Sequence, residues 1–201
     1  MVFLEQHPSF KNWFEIYRSV GCCLLAVVGV YTLFMTTGST RCVSIDDETF
    51  SIMSLVYYTH CFSAVFFSVD QFILVFVKKM WRNDLFFHHC VCLFLLVYFT
   101  PDFPLIGCIF YAGEALTCMN WLRPTHPLFV TVWRLAVVFC CRFPVFGAMF
   151  LEVYFQDEAC ILHHKSGQLA CSILFFFLYD IYVVKGCIDA INKELEKRKN
   201  A

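Results

Sequence analysis

The stretch Phe86-Phe87-His88-His89-Cys90-Val91-Cys92-Leu93-Phe94-Leu95-Leu96 sets two adjacent histidines inside an otherwise apolar run. A polar pair in such surroundings costs free energy unless it faces a protein interior or a wet cavity. Either His88 and His89 mark the surface end of a buried helix, or the fold contains a polar site that receives them. Composition and the other intramembrane charges favour the second.

Hydrophobic residues make up 60% of the 201, charged residues only 15%, and 25 are Phe. A soluble domain averages about 25% charged residues. A single soluble core cannot hide so many rings without large apolar patches on its surface. The class read from composition is therefore an all-α, polytopic membrane protein. A net charge of −1 offers no attraction for nucleic acid, and none is expected as a partner. The 13 cysteines fall mostly in apolar runs, where Cys behaves as a small hydrophobe. No Cys-x-x-Cys pair supports a tetrahedral zinc site. Met1-Val2-Phe3-Leu4-Glu5 lacks the basic, apolar and small-residue order of a signal peptide.

A spanning helix takes roughly 20 apolar residues. Outward from the histidines, six segments read as spans: about 16–35, 52–77, 85–99, 105–122, 128–150 and 169–184. Trp13 and Tyr17 sit at the entrance of the first as interfacial aromatics. Asp84 is suited to cap the third, which is short at roughly 22 Å. Pro101 and Pro104 mark a tight reversal, and Pro144 predicts a kink in the fifth. Residues 1–201 form one domain, with 185–201 as a basic tail. On one side of such a six-span chain lie Lys11, Arg18, Lys78, Lys79, Arg82, Arg123, Lys185, Lys193, Lys197, Arg198 and Lys199; the other side carries only Arg41 and Lys165. The positive-inside rule then puts both termini in the cytosol.

Within the spans fall Asp70, Glu114, Arg134, Arg142 and Asp180, with His60, His88 and His89. Such residues are rare in lipid and face the bundle interior. Asp70 lies roughly 12 Å and Glu114 roughly 13 Å from the cytosolic span ends, at a depth similar to that of the histidine pair. Together they describe a polar interior cavity open toward the cytosolic leaflet. Asp70 is the expected partner of a histidine ring, and Glu114 of Arg142 or Arg134. Successive helical residues point about 100° apart, so one histidine is expected to line the cavity and the other to meet a neighbouring helix. Asp180 and Asn120, near span ends, also read as snorkelling groups or helix–helix hydrogen bonds. His60 reads as a packing histidine, and His163-His164 as solvated.

His-His-Cys is similar to part of the Asp-His-His-Cys palmitoyltransferase motif, but Phe87 stands where the Asp would be and the zinc-binding cysteine array is absent. Di-iron lipid hydroxylases need about eight clustered histidines; here 7 are scattered. No metal or other cofactor is expected.

Four ordered motifs resemble the TLC-domain family, which includes the translocating-chain-associating membrane protein, the ceramide synthases and the ceroid-lipofuscinosis ER protein. Phe67-Ser68-Val69-Asp70 resembles its aromatic-x-x-Asp, and His88-His89 its histidine pair. Glu114-Ala115-Leu116-Thr117-Cys118-Met119-Asn120 resembles its Glu-x-Ser-Thr-Pro segment with a following Asn, with Cys118 in the proline's place. Phe139-Cys140-Cys141-Arg142 resembles its Phe-x-x-Arg. The chain is most similar to the small TLC-domain-containing proteins.

The resemblance implies an endoplasmic reticulum protein acting on membrane lipids, sphingolipid or phospholipid, as partners in lipid homeostasis. It implies substrate contacts from Glu114, Thr117, Asn120, Arg134 and Arg142. The alternative is an acyl-CoA-dependent N-acyltransferase of ceramide-synthase type, with acyl-CoA as co-substrate. His88 or His89 would then take a proton from an amine or carry the acyl group, oriented by Asp70. The ceramide-synthase His-Asp-x-x-Asp has no counterpart downstream of His89, which favours the non-enzymatic reading. A receptor escorting cargo out of the reticulum is a third. Lys197 and Lys199 fit a Lys-x-Lys-x-x retrieval signal read by a coat complex. Cys42 and Cys160, in the lumenal loops, are candidates for a disulfide.

Overall fold

The computed structural model describes residues 8–36, 47–77, 83–99, 104–155 and 166–199. Among these, every regular element is helical. α1 is Pro8–Met35, and α2 is Asp47–Phe72 with a π-helical extension, Ile73–Val77. α3 is Asn83–Phe99. α4 is Pro104–Phe110, continued as the 3-10 stretch Tyr111–Leu116 and, after a turn, Asn120–Leu122. α5 (Pro127–Val137) and α6 (Phe143–Phe155) are joined through a π-helical turn, Val138–Arg142. α7 is Ser166–Lys199. Pro8, Pro104 and Pro127 each open a helix, where the missing N–H has no intrahelical role.

Among the described residues, four stretches are long and apolar enough to cross a membrane: Trp13–Met35, Ile52–Val77, Pro127–Leu151 and Gly167–Lys197. Leu85–Tyr98 is apolar but shorter. The surface is inverted relative to a soluble protein. Phe34 (79% exposed), Val97 (72%) and Tyr58 (70%) face outward, while Asp70, Arg142 and Asp180 are 2% exposed or less. Aqueous solvation would reverse that arrangement; a hydrocarbon surround explains it.

The expected span at 105–122 is not one regular helix. After Phe110 the backbone tightens to three-residue spacing, with Thr117 N–H donating to Glu114 C=O (3.0 Å) and Asn120 N–H to Thr117 C=O (3.0 Å). Irregular backbone at membrane depth persists only where protein buries it and supplies partners. Neighbouring helices supply them. Arg142 donates to Gly113 C=O (2.8 Å), Trp133 Nε1–H to Ala115 C=O (2.9 Å) and Ser19 to Thr117 C=O (3.2 Å). Small residues make the approach possible. A Cβ on Gly29 would come within 2.3 Å of the Ala112 nitrogen, so α1 seats its backbone almost directly on this stretch.

The segment also joins the apolar interior. Leu105, Cys108 and Tyr111 pack with Leu25, Val56 and Phe67. Ile109 packs with Phe146, Ile173 and Phe176. Leu116 packs with Val137, Val138 and Val183. One broken helix therefore contributes to all three clusters.

Two further expectations change. The irregularity near Pro144 takes the form of a π turn on its N-terminal side, Val138–Arg142; Pro144 cannot return an N–H to the carbonyl four residues earlier, and the wider turn absorbs the mismatch. The segment expected as the sixth span, 169–184, and the charged tail are one continuous helix through Lys199. Lys78, Lys79, Arg82, Cys42, Cys160 and His163-His164 lie outside the described residues.

Candidate functional site

The polar side chains of the spans meet between α1, α2, α3, α4, α5–α6 and α7 in groups centred on three acids, Asp70, Glu114 and Asp180. Asp70 of α2 accepts two partners: Arg18 Nε of α1 at 2.8 Å from Oδ1, and His89 Nε2 of α3 at 3.4 Å from Oδ2. His89 Nδ1 meets Gln71 Oε1 at 3.0 Å, so both ring nitrogens are engaged. Its ring leans on Phe67 at 5.4 Å.

His88 turns to a different acid. Its Nε2 lies 3.4 Å from Glu114 Oε1 and 3.7 Å from Cys92 Sγ, one turn along the same helix. The ring stacks on Tyr179 at 5.2 Å. Glu114 Oε2 receives the thiol of Cys22 at 3.4 Å. His88 Nδ1 is buried with no hydrogen-bond partner among the described residues.

The third pair is Arg142 Nε with Asp180 Oδ1 at 2.7 Å, their side chains 2% and 0% exposed. The same guanidinium donates to Gly113 C=O and lies over the rings of Phe146 (5.3 Å) and Tyr179 (5.9 Å). Glu114 therefore pairs with a histidine and not with Arg142 or Arg134, because Asp180 and a backbone carbonyl already hold Arg142. Asp180 is an interior residue, not a snorkelling end group.

Around these pairs lie two small spaces of ≈ 20 Å³ each, about room for one water apiece. One is bounded by His60, His88, Cys92, Tyr111, Glu114 and Arg142; the other by Arg18, Asp70, His88, His89, Thr117 and Tyr179. His60 Nδ1 meets Tyr111 Oη at 2.9 Å, and the same hydroxyl bonds Ser63. Thr117 is half-buried at the turn, and Asn120 Oδ1 is buried without a partner among the described residues. Arg134 stands apart, in an open groove of ≈ 480 Å³ with Arg123, Lys185 and Asp189. A separate apolar groove of ≈ 780 Å³ runs between α3 and α7, lined by Phe87, Val91, Phe94, Cys171 and Phe175. Lys197 and Lys199 are exposed on the last turns of α7.

Arg18, Cys22 and Cys92 join the site without a functional expectation from sequence, where Arg18 reads as one of the charges on the cytosolic side and the cysteines as small hydrophobes. A signal existed for each. Ser19, Cys22, Ala26 and Gly29 form a small-residue stripe at three- and four-residue spacing on α1, the mark of a close helix contact. Arg18 borders that stripe. Cys92 lies four residues after His88, on the same helix face.

No family model, curated protein or solved structure matches this chain.

Proposed function

We propose that the chain is a six-span endoplasmic reticulum membrane protein of TLC-domain type, with both termini cytosolic. It acts in membrane lipid homeostasis, binding sphingolipid or phospholipid through an interior polar cavity. One observation carries this reading: ionisable side chains from α1, α2, the 3-10 stretch after α4, the π turn at Arg142 and α7 gather around the His88–His89 pair of an apolar-surfaced bundle. Burying ions costs several kcal/mol each, roughly, even after relaxation, and apolar side chains would pack the bundle as well. Intramembrane ionisable groups in such a cluster mark a ligand or ion site. On this reading acyl chains lie in the apolar groove between α3 and α7. The headgroup then widens the water-sized space of ≈ 20 Å³ beside His88 and His89, on the next face of α3, since Phe87 and His88 are successive residues.

The test is lipidomics of knockout cells re-expressing the wild type or a His88→Gln/His89→Gln variant of matched abundance. The wild type is expected to restore the lipid profile and the variant to fail. An unchanged profile in the knockout sinks the reading.

A second reading, the acyl-CoA-dependent N-acyltransferase, draws on His88 itself. A carboxylate at Nε2 with Nδ1 unbonded among the described residues resembles an oriented general base. Acyl transfer from acyl-CoA to a sphingoid base by purified protein would favour it over lipid binding alone.

A further inference from the structure

The spacing of cysteines and histidines along the chain offers no metal motif, yet three dimensions bring one together. His88 Nε2, Cys92 Sγ and a carboxylate oxygen of Glu114 all lie within 4.8 Å of one another. We infer that this trio binds a divalent transition metal of the zinc class, with a water in the fourth position.

Three observations carry the inference. The first is convergence. In a relay, a histidine meets its nucleophile through one ring nitrogen and its acid through the other. Here Cys92 Sγ and Glu114 Oε1 approach the same nitrogen, Nε2, at 3.7 and 3.4 Å. One lone pair cannot orient two partners, but three donors around one point can share a cation.

The second is size. Zinc bond lengths of about 2.0–2.1 Å to nitrogen or oxygen and 2.3 Å to sulfur, at tetrahedral angles, put N and O donors roughly 3.4 Å apart and N and S donors roughly 3.5 Å apart. The two edges at Nε2 are 3.4 and 3.7 Å, and the Cys92–Glu114 edge is within 4.8 Å. An imidazole, a thiolate and a carboxylate form a mixed donor set suited to zinc.

The third is charge balance. Asp70 and Asp180 each have an arginine at 2.8 and 2.7 Å. Glu114, 8% exposed, has a histidine at 3.4 Å instead. A divalent cation between Glu114 carboxylate and Cys92 thiolate makes that unit neutral, as a low-dielectric interior favours. The ≈ 20 Å³ space bounded by His88, Cys92, Glu114, His60 and Tyr111 gives the fourth ligand room for one water. Cys22, whose thiol meets the other oxygen of Glu114 at 3.4 Å, would fix the carboxylate's orientation. Nothing here depends on which lipid the protein handles.

The test uses the full chain purified in detergent micelles, loaded with Zn(II) and desalted. Elemental analysis should find stoichiometric zinc in the wild type and in Cys187→Ser, which alters a buried cysteine of α7 in the cluster with Val137 and Val183. His88→Gln and Glu114→Gln should fall to background. Cobalt(II) loaded into the wild type should give intense tetrahedral ligand-field bands with a thiolate-to-cobalt charge-transfer band. Cys92→Ser should lose the charge-transfer band. Background zinc and no cobalt spectrum in a monodisperse, helical wild type would overturn the site and leave a bare histidine–carboxylate pair. A charge-transfer band that survives Cys92→Ser would also overturn it. The wild-type spectrum decides the matter even if a variant fails to fold.

Discussion

Arg18 Nε of α1 lies 2.8 Å from Asp70 Oδ1 of α2, with 12% of the arginine side chain and 2% of the aspartate exposed. An arginine little more than one turn inside the apolar span Trp13–Met35 thus serves the interior and not the headgroup layer. It ties α1 to α2 at the level of His89. Arg18→Met or Asp70→Asn leaves the other charge buried, a loss of about 3–5 kcal/mol. The double variant Arg18→Met/Asp70→Asn removes both charges and should recover much of it. Thermal unfolding in micelles, followed by size-exclusion fluorescence, measures the difference. A double variant no better than either single would show that the pair's charges are not coupled.

Arg142 combines an ion pair to Asp180 with a hydrogen bond to Gly113 C=O. Arg142→Lys keeps the charge but lacks the fork that serves both at once. The buried carbonyl loses its donor, at about 1–3 kcal/mol, so the melting temperature should fall, and fall less than in Arg142→Met. Equal melting of lysine and methionine variants would refute the carbonyl's part.

Gly29 admits no side chain. A Cβ there would sit 2.3 Å from the Ala112 backbone nitrogen, whereas one at Gly147 would meet nothing within 4 Å. Gly29→Ala should push α1 off the 3-10 stretch and lower stability or yield of folded protein. Gly147→Ala should be neutral or gain up to about 1 kcal/mol from helix propensity. Comparable behaviour of the two variants would contradict the close packing of α1.

Lys197 and Lys199 project from the end of α7. On the proposed reading of a reticular protein with a cytosolic tail, Lys197→Ser/Lys199→Ser should release it to later compartments. Immunofluorescence against reticular and Golgi markers reads this out. Unchanged reticular staining of the double variant would remove the retrieval signal from consideration.

Much of this molecule is legible residue by residue. Each apolar side chain prefers hydrocarbon regardless of its neighbours, so the membrane class, the all-helical architecture and the span Ile52–Val77 follow from runs of sequence. The same local logic places Asp70, His88, His89, Glu114 and Arg142 in the interior, since lipid offers none of them a partner; Asp180, near a span end, is placed there only by its pairing with Arg142. Which partner each one takes is not local. It depends on how helices are rotated and shifted against one another, and a displacement of a few ångströms would hand Arg142 to Glu114 instead of Asp180. The break at 111–122 is of the same kind. Its residues are apolar enough for a helix. What releases them from one is a donor on α1, another on α5 and the Arg142 guanidinium at the end of the π turn, each bonded to a carbonyl that a regular helix would have used itself. Only the tertiary structure brings those donors within reach, and the same assembly sets Cys92 and Glu114 around one nitrogen of His88.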